Sequence, residues 1–222
     1  MPSAIILIAD GTEEMEFTIT YDTLVRAGVA CQSAYVRNAA EDSTAPRPYA
    51  HGSRGIRIMY DAVFEAPQFL PPASGYDALV IPGGAKGAET MSSSAAVQEL
   101  VREFLAQGKI VGMICAGSLT ALTSKLPRQP LTSHPSVKAQ LEKIEQNSPL
   151  HFDYSEDPVV ISSKLVTRHS NLNPSRHSRG PVSLFIAGTA FPFALTLVEM
   201  LCGAEKRAEV RAPMVFPAAT PF

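Results

Sequence analysis

The sequence is poor in several features that would assign it quickly. It holds only three cysteines, Cys31, Cys115 and Cys202, far apart and without a CxxC pair. An odd, scattered set offers neither a disulfide framework nor a zinc knuckle, and a reducing compartment is the expectation. No block of like charge occurs and the net charge is -2, so bulk electrostatics gives no hold on nucleic acid or a membrane surface. No apolar run approaches the ~20 residues of a bilayer span. No basic stretch with a cleavage site opens the chain, so no secretory signal is expected. His51, His151, His169 and His177 fall in loop-like segments at no metal-ligand spacing, so no metal site is expected. No internal repeat is visible.

What is present is an alternation of apolar runs and amphipathic stretches. The 222 residues are 45% hydrophobic with mean hydropathy +0.06, enough for a sizeable core. Ala4 to Ala9 is continuously apolar and ends at Asp10-Gly11, as a buried parallel strand does. Glu14 to Arg26 has helical spacing and stops at Gly28. Val29 to Val36 reads as a second strand, and Arg37 to Gly55 as a polar loop. Ile56 to Tyr60 reads as a short edge strand. Ala78 to Pro82 is a third buried strand, closing on Pro82-Gly83-Gly84. Ala95 to Gln107 is an amphipathic helix, followed by the strand Ile110 to Ile114 and a helix of about two turns. A loop around Leu126 to Ser133 leads to a helix from Pro135 to Gln146. Val159 to Val166 reads as one strand, and Phe193 to Leu201 as a helix capped by Gly203. Strands alternating with helices predict a parallel sheet covered on both faces. Ligands in such sheets bind beyond the carboxyl ends of the strands, where Asp10-Gly11, Pro82-Gly83-Gly84 and Cys115 all fall.

Cys115 is the residue on which the chemistry turns. It lies between an apolar strand and a helix-like stretch, with Ala116 and Gly117 after it. Such a turn aims a side chain out of the sheet edge, where unpaired N–H groups and the helix dipole favour a thiolate. The plain alternative is a buried structural cysteine. Glu13, Glu14 and Glu16 open the first helix. Acidic residues there commonly serve only the helix dipole, a reading that suits Glu13 and Glu14. Glu16 differs if its face meets the sheet edge: a carboxyl buried beside a thiol would stay protonated and could exchange a proton with substrate. Paired glycines at Gly83 and Gly84 are either a simple turn or a place where backbone N–H groups meet an oxyanion. His134, in Leu131-Thr132-Ser133-His134-Pro135, is either a surface residue or a partner for the cysteine.

Taken jointly, ADGTEEMEF, ALVIPGGAKGAE, GKIVGMICAGSLTAL and LTSHP resemble the ThiJ/PfpI superfamily, and within it the DJ-one branch. The match runs from about residue 3 to 167 and again from Gly188 to about Val215. The resemblance implies an α/β fold, a flavodoxin-like three-layer α/β/α sandwich with a mostly parallel sheet, forming one domain over residues 1–222 and usually a homodimer. It implies that Cys115 is the reactive cysteine, Glu16 its protonated glutamate and His134 the nearby histidine. It places Gly83, Gly84 and Ala116 as backbone donors, and Arg26 and Arg54 near the dimer interface and the site. Ala116 stands where the protease-like branch has a histidine, which disfavours peptidase activity.

The implied activity is a glutathione-independent glyoxalase of the D-lactate dehydratase type, a lyase with no metal or organic cofactor, acting on small 2-oxoaldehydes. A protein deglycase activity would use the same parts. The alternative is a cysteine-based oxidative-stress sensor without significant turnover, whose thiol would climb to sulfenate and sulfinate. A cytoplasmic, also nuclear, location goes with either. The chain departs from the pattern within residues 168–187, where Ser178-Arg179-Gly180-Pro181 is separated from Gly188-Thr189. That stretch reads as an insertion, either a lineage feature or an unspliced intron, and transcript reads spanning it decide between them.

Overall fold

A computed structural model of the protein describes residues 1–38, 47–71, 75–142, 152–169 and 190–216. Its centre is a seven-stranded sheet built around the apolar run at the amino end. In chain order the strands are β1 (Ser3–Ile8), β2 (Ala30–Tyr35), β3 (Tyr49–His51), β4 (Arg57–Met59), β5 (Ala62–Val63), β6 (Ala78–Ile81), β7 (Ile110–Ile114), β8 (Pro130–Leu131), β9 (Asp153–Tyr154), β10 (Val159–Ser162) and β11 (Leu165–Arg168). The main sheet has the order β10-β11-β7-β6-β1-β2-β5, parallel throughout except for β10 against β11. Strands β6 and β7 are buried along their whole length and β1 along all but its first residue, which is why they read as unbroken apolar runs rather than alternations.

Helix α1 (Glu14–Arg26) follows β1, α2 (Ala66–Phe69) is a single turn, and α3 (Ala85–Ser93) and α4 (Ala95–Ala106) lead into β7. A 3₁₀ turn over Cys115–Ser118 continues as α5 (Leu119–Thr123), and α6 is Pro135–Glu142. Two helices close the described chain, Ala190–Cys202 and Ala204–Arg211. The helix Ala190–Cys202 packs beside α1 on one face, while α4 covers β6 and β7 on the other. Phe193 and Leu197 fill the space over Gly112, where a Cβ would come within 2.8 Å of the Phe193 ring.

The chain order places β1 between β2 and β6, so consecutive strands run outward in opposite directions from β1. Ligands bind at such a switch point, at the carboxyl ends of the strands. Asp10-Gly11 follows β1, Pro82-Gly83 follows β6, and Cys115 follows β7 next to it, so the three segments do converge.

Four expectations change. The Arg37–Gly55 stretch is not all loop: β3 lies in it and pairs antiparallel with β4 in a separate hairpin, outside the main sheet. The main sheet's edge is instead β5, which pairs with β2. The single strand expected over Val159 to Val166 is a hairpin, β10 and β11, turning at Ser163, which takes φ 54°. Helices α3 and Ala204–Arg211 add to those the sequence pattern predicts. Of the inserted stretch 168–187, Arg168 and His169 are described, and the remainder lies outside the described residues. Residues 143–146 of the expected Pro135–Gln146 helix lie outside them as well.

Candidate active site

Cys115 takes φ 62°, in the left-handed region that side chains avoid. Strain of that kind persists only where the surroundings enforce it, and a cysteine on a strand-to-turn elbow is a place where it has a use. The enforcing contacts are visible. A Cβ added at Gly117 would lie 2.5 Å from the Ile81 carbonyl oxygen, so the turn passes hard against the end of β6. The backbone N–H of His134 donates to the Cys115 carbonyl at 3.1 Å. Cys115 is only 8% exposed.

Gly83 and Glu16 complete the setting of the sulfur. A Cβ at Gly83 would stand 2.7 Å from the Cys115 Cβ, 3.0 Å from its Sγ and 2.7 Å from Glu16 Oε2. Glycine is required there because the thiol and the carboxyl occupy that space. Gly83 N–H donates to Glu16 Oε2 at 2.8 Å. Glu16 is 1% exposed, and its other oxygen, Oε1, has no N or O partner among the described residues. Burial, and then the neighbouring charge of Glu13, push its pKa up to about 8, against weaker opposing hydrogen bonds from Cys115 and Gly83. Near neutral pH this carboxyl is therefore protonated and holds a proton beside the sulfur.

Glu13 and Glu14 take separate roles. Glu13 caps α1, its carboxylate accepting from Glu16 N–H at 2.8 Å. Glu14 is buried, contrary to a role confined to the helix dipole, and accepts from Arg54 N–H at 2.6 Å and Ser53 Oγ at 2.9 Å. Burial raises its pKa, but the donors, Arg54 N–H first, outweigh this and hold it below the usual carboxylate value. Asp10 works in the same way on β3: burial opposes ionisation, while His51 N–H at 2.8 Å and Arg47 at 2.6 Å favour it and lower the pKa. The hairpin is thus fastened to the carboxyl edge by two ionised carboxylates.

His134 is joined to Cys115 through its backbone. Its ring Nδ1 accepts from Ser136 N–H at 3.1 Å and lies 2.7 Å from Ser136 Oγ, and burial lowers its pKa, so the ring is neutral at pH 7. The Gly83 N–H is engaged by Glu16, which removes Gly83 from the expected oxyanion donors. Gly84 caps α3 with φ 89°, and a Cβ there would meet the Gly11 carbonyl at 2.1 Å. Ala116 is buried beside the cysteine. Arg54 meets the site through its backbone, while its guanidinium is directed to Ser53. Arg26 lies at the far end of α1, paired with Asp22 at 2.6 Å, and does not reach the cysteine's edge. Sequence reasoning missed Arg168 and His169 at the end of β11 as candidates for the site. His169 is buried, lies 3.7 Å from Glu156 and is electrostatically coupled to His134. No pattern in the sequence marks either residue, because both belong to the stretch that departs from the family's spacing.

Among the described residues, no group of His, Cys, Asp and Glu is disposed to hold a metal ion, and no helix is long and apolar enough to cross a membrane.

The fold and the strained cysteine beside a buried glutamate define a flavodoxin-like α/β protein with a strained cysteine turn at the carboxyl edge of its sheet. Residues 2–174 match the DJ-1/PfpI family, and the chain belongs to that family. It is 35% identical over 219 residues to the glutathione-independent glyoxalase DJ-1 of Schizosaccharomyces pombe, covering 98% of this chain and 100% of that one. It is 32% identical over 213 residues to the Parkinson disease protein 7 homolog of Danio rerio, covering 96% of each. Among solved structures, Schizosaccharomyces pombe DJ-1 superposes with a TM-score of 0.77 at 33% identity, over 97% of this chain and 100% of that one.

Proposed function

We propose that the protein is a glutathione-independent glyoxalase that converts methylglyoxal or glyoxal to the hydroxy acid, a lyase working without metal or organic cofactor. The observation that carries this reading is the protonated Glu16 carboxyl against the Cys115 thiol. The yeast relative's name supports it.

The Cys115 thiolate adds to the aldehyde carbon, forming a C–S bond and an alkoxide, which N–H groups of Gly84 and Ala116 stabilise. Glu16 gives its proton to oxygen, leaving a hemithioacetal and a carboxylate. The carboxylate then removes the proton from the former aldehyde carbon and returns it to the adjacent carbon through an enediol. The product of that shift is a thioester of the hydroxy acid. Water cleaves it: its hydroxyl goes to the acyl carbon, releasing the acid, the sulfur leaves as the thiolate, and the remaining proton returns to the Glu16 carboxylate. A group that must both give and take a proton works best with a pKa near the operating pH, which burial provides for Glu16. In this reading His134, neutral and held at Nδ1 by Ser136, assists the proton moves or the attack of water.

The domain is taken as one unit over residues 1–222, interrupted within 168–187. A homodimer fits the exposed apolar side chains Met15 and Val25 on α1 and Ile56 and Met59 on the hairpin. A cytoplasmic and nuclear setting fits a thiol that must stay reduced.

The test is glutathione-free conversion of methylglyoxal to lactate by the purified protein and by Cys115→Ser. Turnover is expected for the wild type, with a loss of at least about 10³-fold in the variant. Full turnover by Cys115→Ser excludes the mechanism. No turnover by either protein ends the enzyme reading and leaves the thiol to a redox role.

A further inference from the structure

Arg168 ends β11 and is 2% exposed, yet its Nε and Nη1 have no hydrogen-bond partner among the described residues. A desolvated cation with unused donors is costly unless an anion meets it. Its position says where that anion would lie. Arg168 is the register partner of Ile114, the residue before Cys115, on the adjacent strand. Two residues earlier Val166 pairs with Gly112, whose open face is covered by Phe193 and Leu197. Side chains alternate along a strand, so Arg168 shares the face of the helix Ala190–Cys202.

That helix packs along α1, and its last residue, Cys202, approaches the Ala27 carbonyl just past the end of α1. Its first turn therefore lies at the carboxyl edge of the sheet, where α1 begins with Glu14 and Glu16 and where Arg168 ends its strand. Glu14 is engaged by the hairpin. Glu16 is held protonated and supplies no counter-charge. Burial lowers the Arg168 pKa to about 9, which still leaves the guanidinium charged at neutral pH. The planar donors of a guanidinium match the two oxygens of a carboxylate.

We propose that Arg168 is the carboxylate-binding residue of a subsite beside Cys115, taking small hydroxy acids. The identity of that acid as the reaction product rests on the glyoxalase reading; the binding of a carboxylate does not.

The probes are D-lactate and its neutral isostere lactamide, titrated calorimetrically into the full-length Cys115→Ser protein, where no covalent chemistry intervenes. D-lactate is expected to bind about tenfold or more tighter than lactamide, and Arg168→Met to abolish the preference. Equal binding of the two probes, or a preference that survives in Arg168→Met, overturns the proposal. Should Arg168→Met fail to fold, Arg168→Lys keeps the charge without the fork and must weaken D-lactate measurably; unchanged affinity overturns the proposal equally. A protein that binds D-lactate through Arg168 but turns over no methylglyoxal keeps this inference and loses the glyoxalase one. An active glyoxalase indifferent to D-lactate does the reverse.

Discussion

Glu14 and Glu16 are buried on the first turns of the same helix and carry opposite charge states. Glu14 faces the hairpin, where Arg54 N–H and Ser53 Oγ donate to it and keep it ionised. Glu16 faces the sulfur, where one backbone N–H reaches it, Glu13 stands nearby, and the carboxyl keeps its proton. Burial acts against the charge of both. What separates them is the number of donors the fold supplies, and that divides a residue that fastens a loop from one that moves a proton.

The largest effect expected from this contrast is on turnover. Glu16→Gln preserves shape and the acceptor for Gly83 N–H but cannot exchange a proton, so kcat should fall about 10²- to 10³-fold. Glu14→Gln should leave kcat within a few-fold while lowering the unfolding midpoint, because it weakens charge-assisted hydrogen bonds at the hairpin. Steady-state kinetics and thermal unfolding of the two variants check this together. Equal losses of turnover would mean that the two carboxyls act as one unit.

The pH dependence of stability sharpens the same contrast. The Glu16 pKa rises on folding from 4.5 to about 8, so the folded state binds that proton more tightly. Its contribution to stability is complete below the unfolded value and is lost as pH rises through about 8. Glu14 is lowered from 4.5, so its contribution is present above that value and is lost as pH falls through its folded pKa. Unfolding midpoints measured across pH should therefore show an alkaline decline that Glu16→Gln flattens and an acid decline that Glu14→Gln flattens. An alkaline limb unchanged in Glu16→Gln would show that Glu16 is ionised in the folded protein.

Much of this is legible in the sequence. Ala4 to Ala9, Ala78 to Ile81 and Ile110 to Ile114 are unbroken apolar runs because both faces of their strands are covered, and that pattern alone locates the three converging segments. Glu16 is separable from Glu14 by helix phase, though not from Glu13 three residues before it, and the resemblance supplies the rest. Glu14 is not legible, since its partners come from a hairpin some forty residues away that the polar composition of Arg37 to Gly55 conceals. The break at Ser163 is hidden because no glycine, proline or asparagine marks it. Helix α3 escapes for a similar reason. Its Gly87 weakens the helical pattern, yet is needed where a Cβ would come within 2.7 Å of Thr12 N.

Gly83→Ala tests the packing on the sulfur side alone. The added methyl group would stand 2.7 Å from both the Cys115 Cβ and Glu16 Oε2, so at least one of them must shift. Overpacking of this kind costs about 1–3 kcal/mol, read from denaturant unfolding. Turnover should fall as well, because the carboxyl and the thiol are forced apart. A stable, active Gly83→Ala would show that the elbow yields more readily than its strained Cys115 backbone implies.

The smallest effect belongs to the other end of α1. Arg26 and Asp22 form an i,i+4 pair with both side chains more than half exposed. Solvent screens such a pair, and ordering two long side chains offsets most of what remains. Arg26→Ala should therefore leave turnover unchanged and shift the unfolding midpoint by no more than the scatter of the measurement at a fixed protein concentration. The concentration matters because the resemblance places Arg26 near a subunit interface. Unfolding at two protein concentrations separates the cases: a loss of stability that shrinks as concentration rises assigns Arg26 to contacts between subunits. The contrast within α1 then extends along its whole length, from carboxyls whose state the fold dictates to a charge pair that solvent controls.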